Sequence, residues 1–405
     1  MPYENSETQR FNPLTDKISE YINKKNLAGI VTVVSHKNQI VYAEAHGFKN
    51  YENETPQSLD DIFNIYSLMK PLYVVGALIL YDRGKFNLDD PIYPFYPKAK
   101  DAKVFVEEKD GELILEKIKR EITFLDLMTN RSGLSVGFDN NHPADKLHSE
   151  IFNKIVKENL TRSKSMKEII DLYFQPPLLF QPGTKWNYSE SMDVLALIME
   201  KISEQPWEEF LRENLFSKLN MVDTGFLVPD SQFHRFGNSY KSENGKILLS
   251  IDYTVPERRE RITKPPSAHV GLAGIYSSVK DIMNFSQMLL NNGLYNNQRI
   301  LKADTVNMMT SNHLSQDQLP ISFGLDLKYS DYFLDGYGYG LGVRVKMKDN
   351  SKVTPGSFGW SGGDVIIHWI DPKEEIIVVY MHKSGSMFQT PLLKDFEDII
   401  YEILT

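Results

Sequence analysis

Strand-forming runs lie near the two ends of this chain and scarcely anywhere between them. "IVTVVSH" (30–36) and "IVYAEAHG" (40–47), joined at "KNQ", predict a hairpin near the start, and "YGLGVRVKMK" (339–348), "GDVIIHWI" (363–370) and "IIVVYMHK" (376–383) read as successive strands near the end. A strand must find neighbours for its backbone N–H and C=O groups, so both ends are expected to meet in one antiparallel sheet. Helical spacing of Leu14, Ile18, Tyr21 and Ile22 within 13–26, a helix over 278–292 and a final helix over 388–404 supply layers to cover it.

The middle of the chain has another texture. Proline-bearing loops such as "DPIYPFYPK" and "FQPPLLFQPGTKW" alternate with helical stretches at 192–203 and 207–218, and the strand signal is limited to a short hairpin around 104–116. With 405 residues, a core carrying an insertion is favoured over one oversized domain. The expected fold is α+β: a discontinuous sheet lobe (1–90 and 266–405), a mostly helical inserted lobe (91–265), and an active site in the cleft between them.

Composition removes several classes of function. The 45 Lys and Arg against 54 Asp and Glu leave a net charge of −9, with no basic block interleaved with aromatics, so nucleic acid is not an expected partner. The chain has no cysteine, which excludes disulfides, thiolate nucleophiles and cysteine-ligated zinc. Its nine histidines show no HExxH or paired spacing, and "DGYGYGLG" (335–342) lacks a GxGxxG register, so neither a metal nor another cofactor is expected. The apolar run "PLYVVGALILY" (71–81) falls well short of the ~20 residues that span a bilayer, and the first residues carry no apolar secretory segment. These features lead us to expect a cytoplasmic protein with a small-molecule substrate; oligomeric state is not legible.

Two serines compete for the role of nucleophile. "GWSGG" (359–363) fits the GxSxG of a nucleophile elbow, which needs a strand before the serine and a helix after it. Two β-rich runs follow Ser361 instead, so it is expected at the start of a strand in a hairpin. A triad with Asp371 and His382 would place both partners on that same hairpin. "YSLMK" (66–70) offers Ser67 and Lys70 three residues apart at the predicted start of a helix, where they share a face and Pro71 falls among amides that have no helical acceptor to lose. Taken alone, SxxK also fits a capping serine followed by a surface lysine. The apolar run after Lys70 favours a buried lysine, whose pKa burial would lower towards that of a base.

The ordered blocks "IFNIYSLMKPL", "ITFLDLMTNRSGLS", "PGTKWNYSESMDVLALIMEKIS", "HVGLAGIYSSVKDIMNFSQMLLNNG", "YGLGVRV" and "FGWSGGDVIIHWIDPKEEIIVVYM" resemble the serine β-lactamase and penicillin-binding-protein superfamily. Within it, the class C branch and the family VIII carboxylesterases are most similar. The resemblance implies Ser67 as the acylated residue, Lys70 as its general-base partner and Tyr188 as a proton carrier. It also implies an oxyanion hole from the amides of Ser67 and Gly363, with Trp360, Ser361 and Gly362 as substrate-binding wall. Trp360 stands where lactamases carry a lysine, and Glu190 where they carry an asparagine. Both departures point from β-lactams towards neutral esters, hence to a serine carboxylesterase acting on small or short-chain esters through an acyl-enzyme. The alternatives are a β-lactamase or D-amino-acid peptidase or amidase, an acyltransferase, and a non-catalytic penicillin-recognising sensor. His269 is a residue that could face the cleft, and Asp364 departs from the pattern without a role.

Overall fold

The computed structural model describes residues 8–139, 141–325, 329–385 and 390–405. Near the N-terminus the chain forms helix α1 (Asn12–Asn23) and strands β1 (Gly29–His36), β2 (Gln39–Asn50) and β3 (Thr55–Pro56). Near the C-terminus it forms β4 (Tyr337–Tyr339), β5 (Arg344–Lys346), β6 (Phe358–Gly362), β7 (Ile366–Asp371) and β8 (Ile376–His382). These make one eight-stranded sheet in the order β4-β5-β6-β7-β8-β1-β2-β3, with every pairing antiparallel. The two ends of the chain meet where β1 pairs with β8, from Ile30 opposite His382 to His36 opposite Ile376.

Three further helices position the site: α2 (Met69–Asp82), α3 (Ser191–Ser203) and α4 (Val279–Leu290). A final helix, α5 (Leu392–Leu404), closes the chain; residues 388 and 389 of the expected helix lie outside the described residues. The sheet is covered on both faces, as its register shows. Ile367 opposes Tyr380, and Tyr380 packs on Phe396 of α5 with ring centroids 4.9 Å apart. The next residue, His368, points the other way and bonds Ser286 of α4 at 3.1 Å. Side chains on these strands are therefore buried whichever way they alternate, which accounts for the unbroken runs in the sequence.

Helix α2 is apolar nearly all round because it lies inside the molecule. Its Gly76 sits so close to Trp207 and Leu211 that a Cβ there would lie 2.5 Å from the Leu211 side chain. A valine at 76 would force the helices apart, and overpacking of this kind costs about 1–3 kcal/mol. The helix ends where Gly84 turns left-handed (φ 71°) and the Lys85 amide closes on the Leu80 carbonyl at 3.1 Å.

Three expectations need correction. The run 339–348 is not one strand: a turn closed by Gly340 N–H to the Val343 carbonyl (2.8 Å) separates β4 from β5. Likewise 363–370 is broken, because Asp364 and Val365 both take positive φ (55° and 59°), and Ser361 lies inside β6 rather than at a strand start. The middle of the chain also holds a second hairpin, Ser239–Glu243 with Lys246–Ile251, turning at Asn244 and Gly245. Its Asn-Gly pair is a strong hairpin signal that the polar flanking residues obscured. Among the described residues no helix is long and apolar enough to cross a membrane.

Candidate active site

Ser67 is held in a tight 3-10 turn, Tyr66–Leu68, that runs straight into α2, so Lys70 is the second residue of the helix proper and Ser67 lies just before it. The approach to this turn is anchored. Strand Ile62–Asn64 pairs with Tyr276–Ser278, the Ile65 amide donates to the Ile275 carbonyl at 2.8 Å, and the Tyr66 amide donates to Asn64 Oδ1 at 3.1 Å. Tyr66 itself takes φ +46°, a conformation that costs a bulky L-residue of order 1–3 kcal/mol and persists only when its surroundings fix it.

Tyr188 reaches the same point from the loop before α3. Its neighbours are tied into a buried polar network: the Asn187 amide donates to the Asn130 carbonyl (2.9 Å), Ser189 Oγ donates to Asn130 Oδ1 (2.9 Å), and Ser191 bonds both Ser189 and Ser132 at 2.7 Å. Such a fully satisfied network fixes one geometry. The Tyr188 ring stacks with Phe138 and Trp360, each 5.8 Å away between centroids. The result is a hydrogen bond of 2.5 Å from the Tyr188 phenol to Ser67 Oγ, with Lys70 Nζ 4.5 Å from the centre of the Tyr188 ring.

Lys70 is 2% exposed and shares its surroundings with Glu190 and Asp193, both also buried. Burial alone would lower its pKa, as the sequence led us to expect. Burial does pull the ammonium down, yet Tyr188, Glu190 and Asp193 together outweigh it, and the net displacement is upward. Burial in turn pushes Glu190 up against the pull of Lys70. Asp193 is raised to about 7 by burial and by Glu190, although the Gly271 amide (2.8 Å) and the Tyr173 phenol (3.1 Å) both donate to it.

Two cavities meet at Ser67. The larger, about 400 Å³, is walled by Phe138, Phe323, Leu325 and Trp360, with Ser361, Gly362 and Asp364 along one side. The smaller, about 180 Å³, is walled by Met69, Val136, Phe152 and Leu272, with Lys70 and Glu190 as its charged members. Ser67, Phe138, Tyr188 and Gly363 line both. The end of β6 presses against the turn that carries Ser67: a Cβ on Gly362 would lie 2.1 Å from the Ile65 carbonyl oxygen, so no other residue fits there. Gly363 is thereby brought beside Ser67.

The structure thus gathers Ser67, Lys70, Tyr188, Trp360, Ser361, Gly362 and Gly363 in one place. It separates others. His269 is turned away, with its ring 3.0 Å from Glu208 and edge-on to Phe226. Asp371 is occupied by Thr354 and Tyr401, and His382 is buried at the end of β8, so neither forms a triad with Ser361. Asn130, Phe138, Asp193 and Phe323 are not singled out by the sequence; the only signal is that Asn130 and Asp193 fall inside the blocks "ITFLDLMTNRSGLS" and "PGTKWNYSESMDVLALIMEKIS".

Comparison with known proteins places the chain in a family. Protein Rv1367c of Mycobacterium tuberculosis is 28% identical over 88% of this chain and 85% of its own. Esterase EstB of Burkholderia gladioli is 26% identical over 65% of each chain. Among solved structures, EstCE1, described as a hydrolase with promiscuous acyltransferase activity, shares the fold with a TM-score of 0.80 at 19% identity, covering 98% of this chain and 99% of its own. The family model for Beta-lactamase matches residues 14–394, which takes in the Ser67 turn, the Tyr188 loop and the β6 edge together. This chain belongs to the beta-lactamase family.

Proposed function

We propose that the protein is a serine carboxylesterase that cleaves small or short-chain esters through an acyl-enzyme on Ser67. The observation that carries this reading is the Tyr188-to-Ser67 hydrogen bond at the junction of two apolar cavities, with Lys70 beside the tyrosine. Transfer of the phenol proton to a neutral Lys70 yields a phenolate and an ammonium; the phenolate then takes the Ser67 proton as Oγ attacks the ester carbonyl. The upward displacement of Lys70 makes it the stronger base in that transfer and narrows the pH range in which it starts neutral. Negative charge developing on the carbonyl oxygen is met by the amides of Ser67 and Gly363. Tyr188 returns its proton to the departing alkoxide, and water repeats the sequence to release the acid.

The preference for neutral esters rests on the walls. Trp360 is 1% exposed and held among Tyr188, Phe333 and Tyr339, so the larger cavity offers an aromatic surface where a lactamase would offer a cation. We read the cleft as lying between the inserted part (91–265), which brings Tyr188 and Glu190, and the sheet part (1–90 and 266–405), which brings Ser67, Lys70 and Gly363. A second reading, transfer of the acyl group to an alcohol, is favoured by the likeness to EstCE1 and by a second cavity in which an acceptor would fit.

The test is a panel of p-nitrophenyl esters, a chromogenic cephalosporin and a D-amino-acid anilide, on wild type and Ser67→Ala. Loss of a charge-assisted contact to the lactam carboxylate is worth about 1.5–3 kcal/mol, so a short-chain ester should exceed the cephalosporin roughly ten- to hundredfold in kcat/KM. A cephalosporin turned over faster than every ester would overturn the assignment. Adding an alcohol and measuring the new ester against the free acid separates transfer from hydrolysis.

A further inference from the structure

The two amides that face the reacting carbonyl come from segments far apart in sequence, and the residues flanking them are joined directly. The Tyr66 phenol donates to Oδ2 of Asp364 at 2.9 Å, and the same oxygen accepts from Ser239 Oγ at 2.9 Å. Tyr66 precedes Ser67, and Asp364 follows Gly363. Both take left-handed backbone, φ +46° at Tyr66 and +55° at Asp364, so each amide is offered by a stretch of chain that would not hold this shape unaided. The Tyr66 ring also lies over Gly363, where a Cβ would sit 3.4 Å from its Cγ.

We propose that the Tyr66–Asp364 hydrogen bond is a positioning clamp that fixes the spacing of the Ser67 and Gly363 amides and so sets how well the site holds an oxyanion. The inference rests on the reading of Ser67 as nucleophile. Oxyanion donors act only within a few tenths of an ångström of the right distance, and a misplacement of 1 Å costs on the order of a hundredfold in rate. The β6 edge and the 3-10 turn touch through Gly362, but that contact limits approach without preventing separation. The clamp supplies the missing restraint on the far side of both amides. Burial, reinforced by Asp364, keeps the Tyr66 phenol protonated far above neutral pH, so it remains a donor across the working range. Ser239, from the second hairpin of the middle segment, holds the carboxylate from the other side.

The experiment measures acylation of Ser67 by a fluorophosphonate, together with kcat and KM for p-nitrophenyl acetate, in wild type, Tyr66→Phe, Asp364→Ala, Asp364→Asn and the Tyr66→Phe/Asp364→Ala double variant. Tyr66→Phe and Asp364→Ala should each slow acylation and kcat about tenfold with KM within about twofold, since the contact acts in the transition state. The double variant should be no slower than the slower single one, because both remove the same bond. Asp364→Asn keeps a carbonyl acceptor and should recover most of the loss. Multiplied losses in the double variant, a raised KM at unchanged kcat, or Asp364→Asn as slow as Asp364→Ala would each overturn the clamp. Should an Asp364 variant fail to fold, the isosteric Tyr66→Phe decides alone, and an unchanged acylation rate rejects the proposal. Absence of label on wild-type Ser67 would remove the nucleophile and the clamp with it; a labelled wild type with unaffected variants removes only the clamp.

Discussion

Two clusters of buried charge in this molecule are built from the same ingredients and put to different ends. Beside Ser67, Lys70 stands among Glu190 and Asp193 at the wall of a cavity. On β5, Arg344 stands beside Glu397 of α5, 3.9 Å away, with its guanidinium 3.8 Å from the centre of the Phe333 ring and 4.2 Å from that of Tyr337. Arg344 also donates to the Phe333 carbonyl, and Tyr332 donates to Glu397 at 2.5 Å. Every charge there is answered by protein. Lys70, by contrast, has two buried carboxylates near it and lines a cavity. Burial of a charge therefore does not mark a site; burial beside a nucleophile and a cavity does.

The largest test of that contrast pairs two single substitutions. Ser67→Ala should lower kcat/KM for p-nitrophenyl acetate by at least about 10³-fold, roughly 4 kcal/mol, while the thermal midpoint stays put. Arg344→Met should do the reverse, costing about 3–5 kcal/mol of stability because Glu397 is left buried without its partner, while the folded fraction keeps its kcat. Calorimetry and initial rates on both variants decide the matter. A loss of kcat in Arg344→Met at unchanged stability would break the comparison.

A smaller test uses pH, because buried histidines away from Ser67 and the buried Asp193 near Lys70 respond with opposite sign. Burial lowers His368 and His382 to about 3, and it lowers His148 to about 4, from an ordinary 6.5. A depressed folded value means that the stability these groups contribute is complete above pH 6.5 and is lost as pH falls towards 4 and 3. At about 1.4 kcal/mol per pH unit for each group, the three together exceed roughly ten kcal/mol over that range, so the acid-side decline should be steep. Asp193, raised to about 7 from 3.8, works the other way: its contribution is complete below 3.8 and lost as pH rises through about 7. Thermal midpoints from pH 4 to 9 should show both declines, and Asp193→Asn should flatten only the alkaline one.

The smallest expected effect is the most local. Glu190→Gln removes a negative charge that helps raise Lys70, so the acid limb of the kcat/KM profile should move to lower pH. An unmoved limb would mean that Glu190 is a packing residue only.

The frame of the molecule was legible because it is written in local periodicity. Apolar runs such as 30–36 and 376–382 announce strands, and since β1 and β8 need partners, their meeting follows. Ser67, Lys70, Tyr188 and Gly363 were reached through spacing and through ordered blocks. What could not be read is whatever depends on residues distant in sequence: the upward displacement of Lys70 requires Tyr188, Glu190 and Asp193 to arrive beside it, and the tie from residue 66 to residue 364 spans most of the chain. The left-handed backbone at Tyr66, Asp364 and Val365 was hidden for a related reason. Local preference opposes it, and only tertiary contacts impose it.

The two cavities that share Ser67, Phe138, Tyr188 and Gly363 make the serine hydroxyl a junction between two chambers of unequal size. On the acyl-enzyme mechanism proposed above, one chamber would hold the acyl group after the first half-reaction and the other would empty, so the second half would be a race among whatever molecules enter the vacant room. The nucleophile has no vote in that race. The ratio of acid to new ester is then a property of the chamber walls, and an enzyme of this build could change its product without altering any group that performs the chemistry.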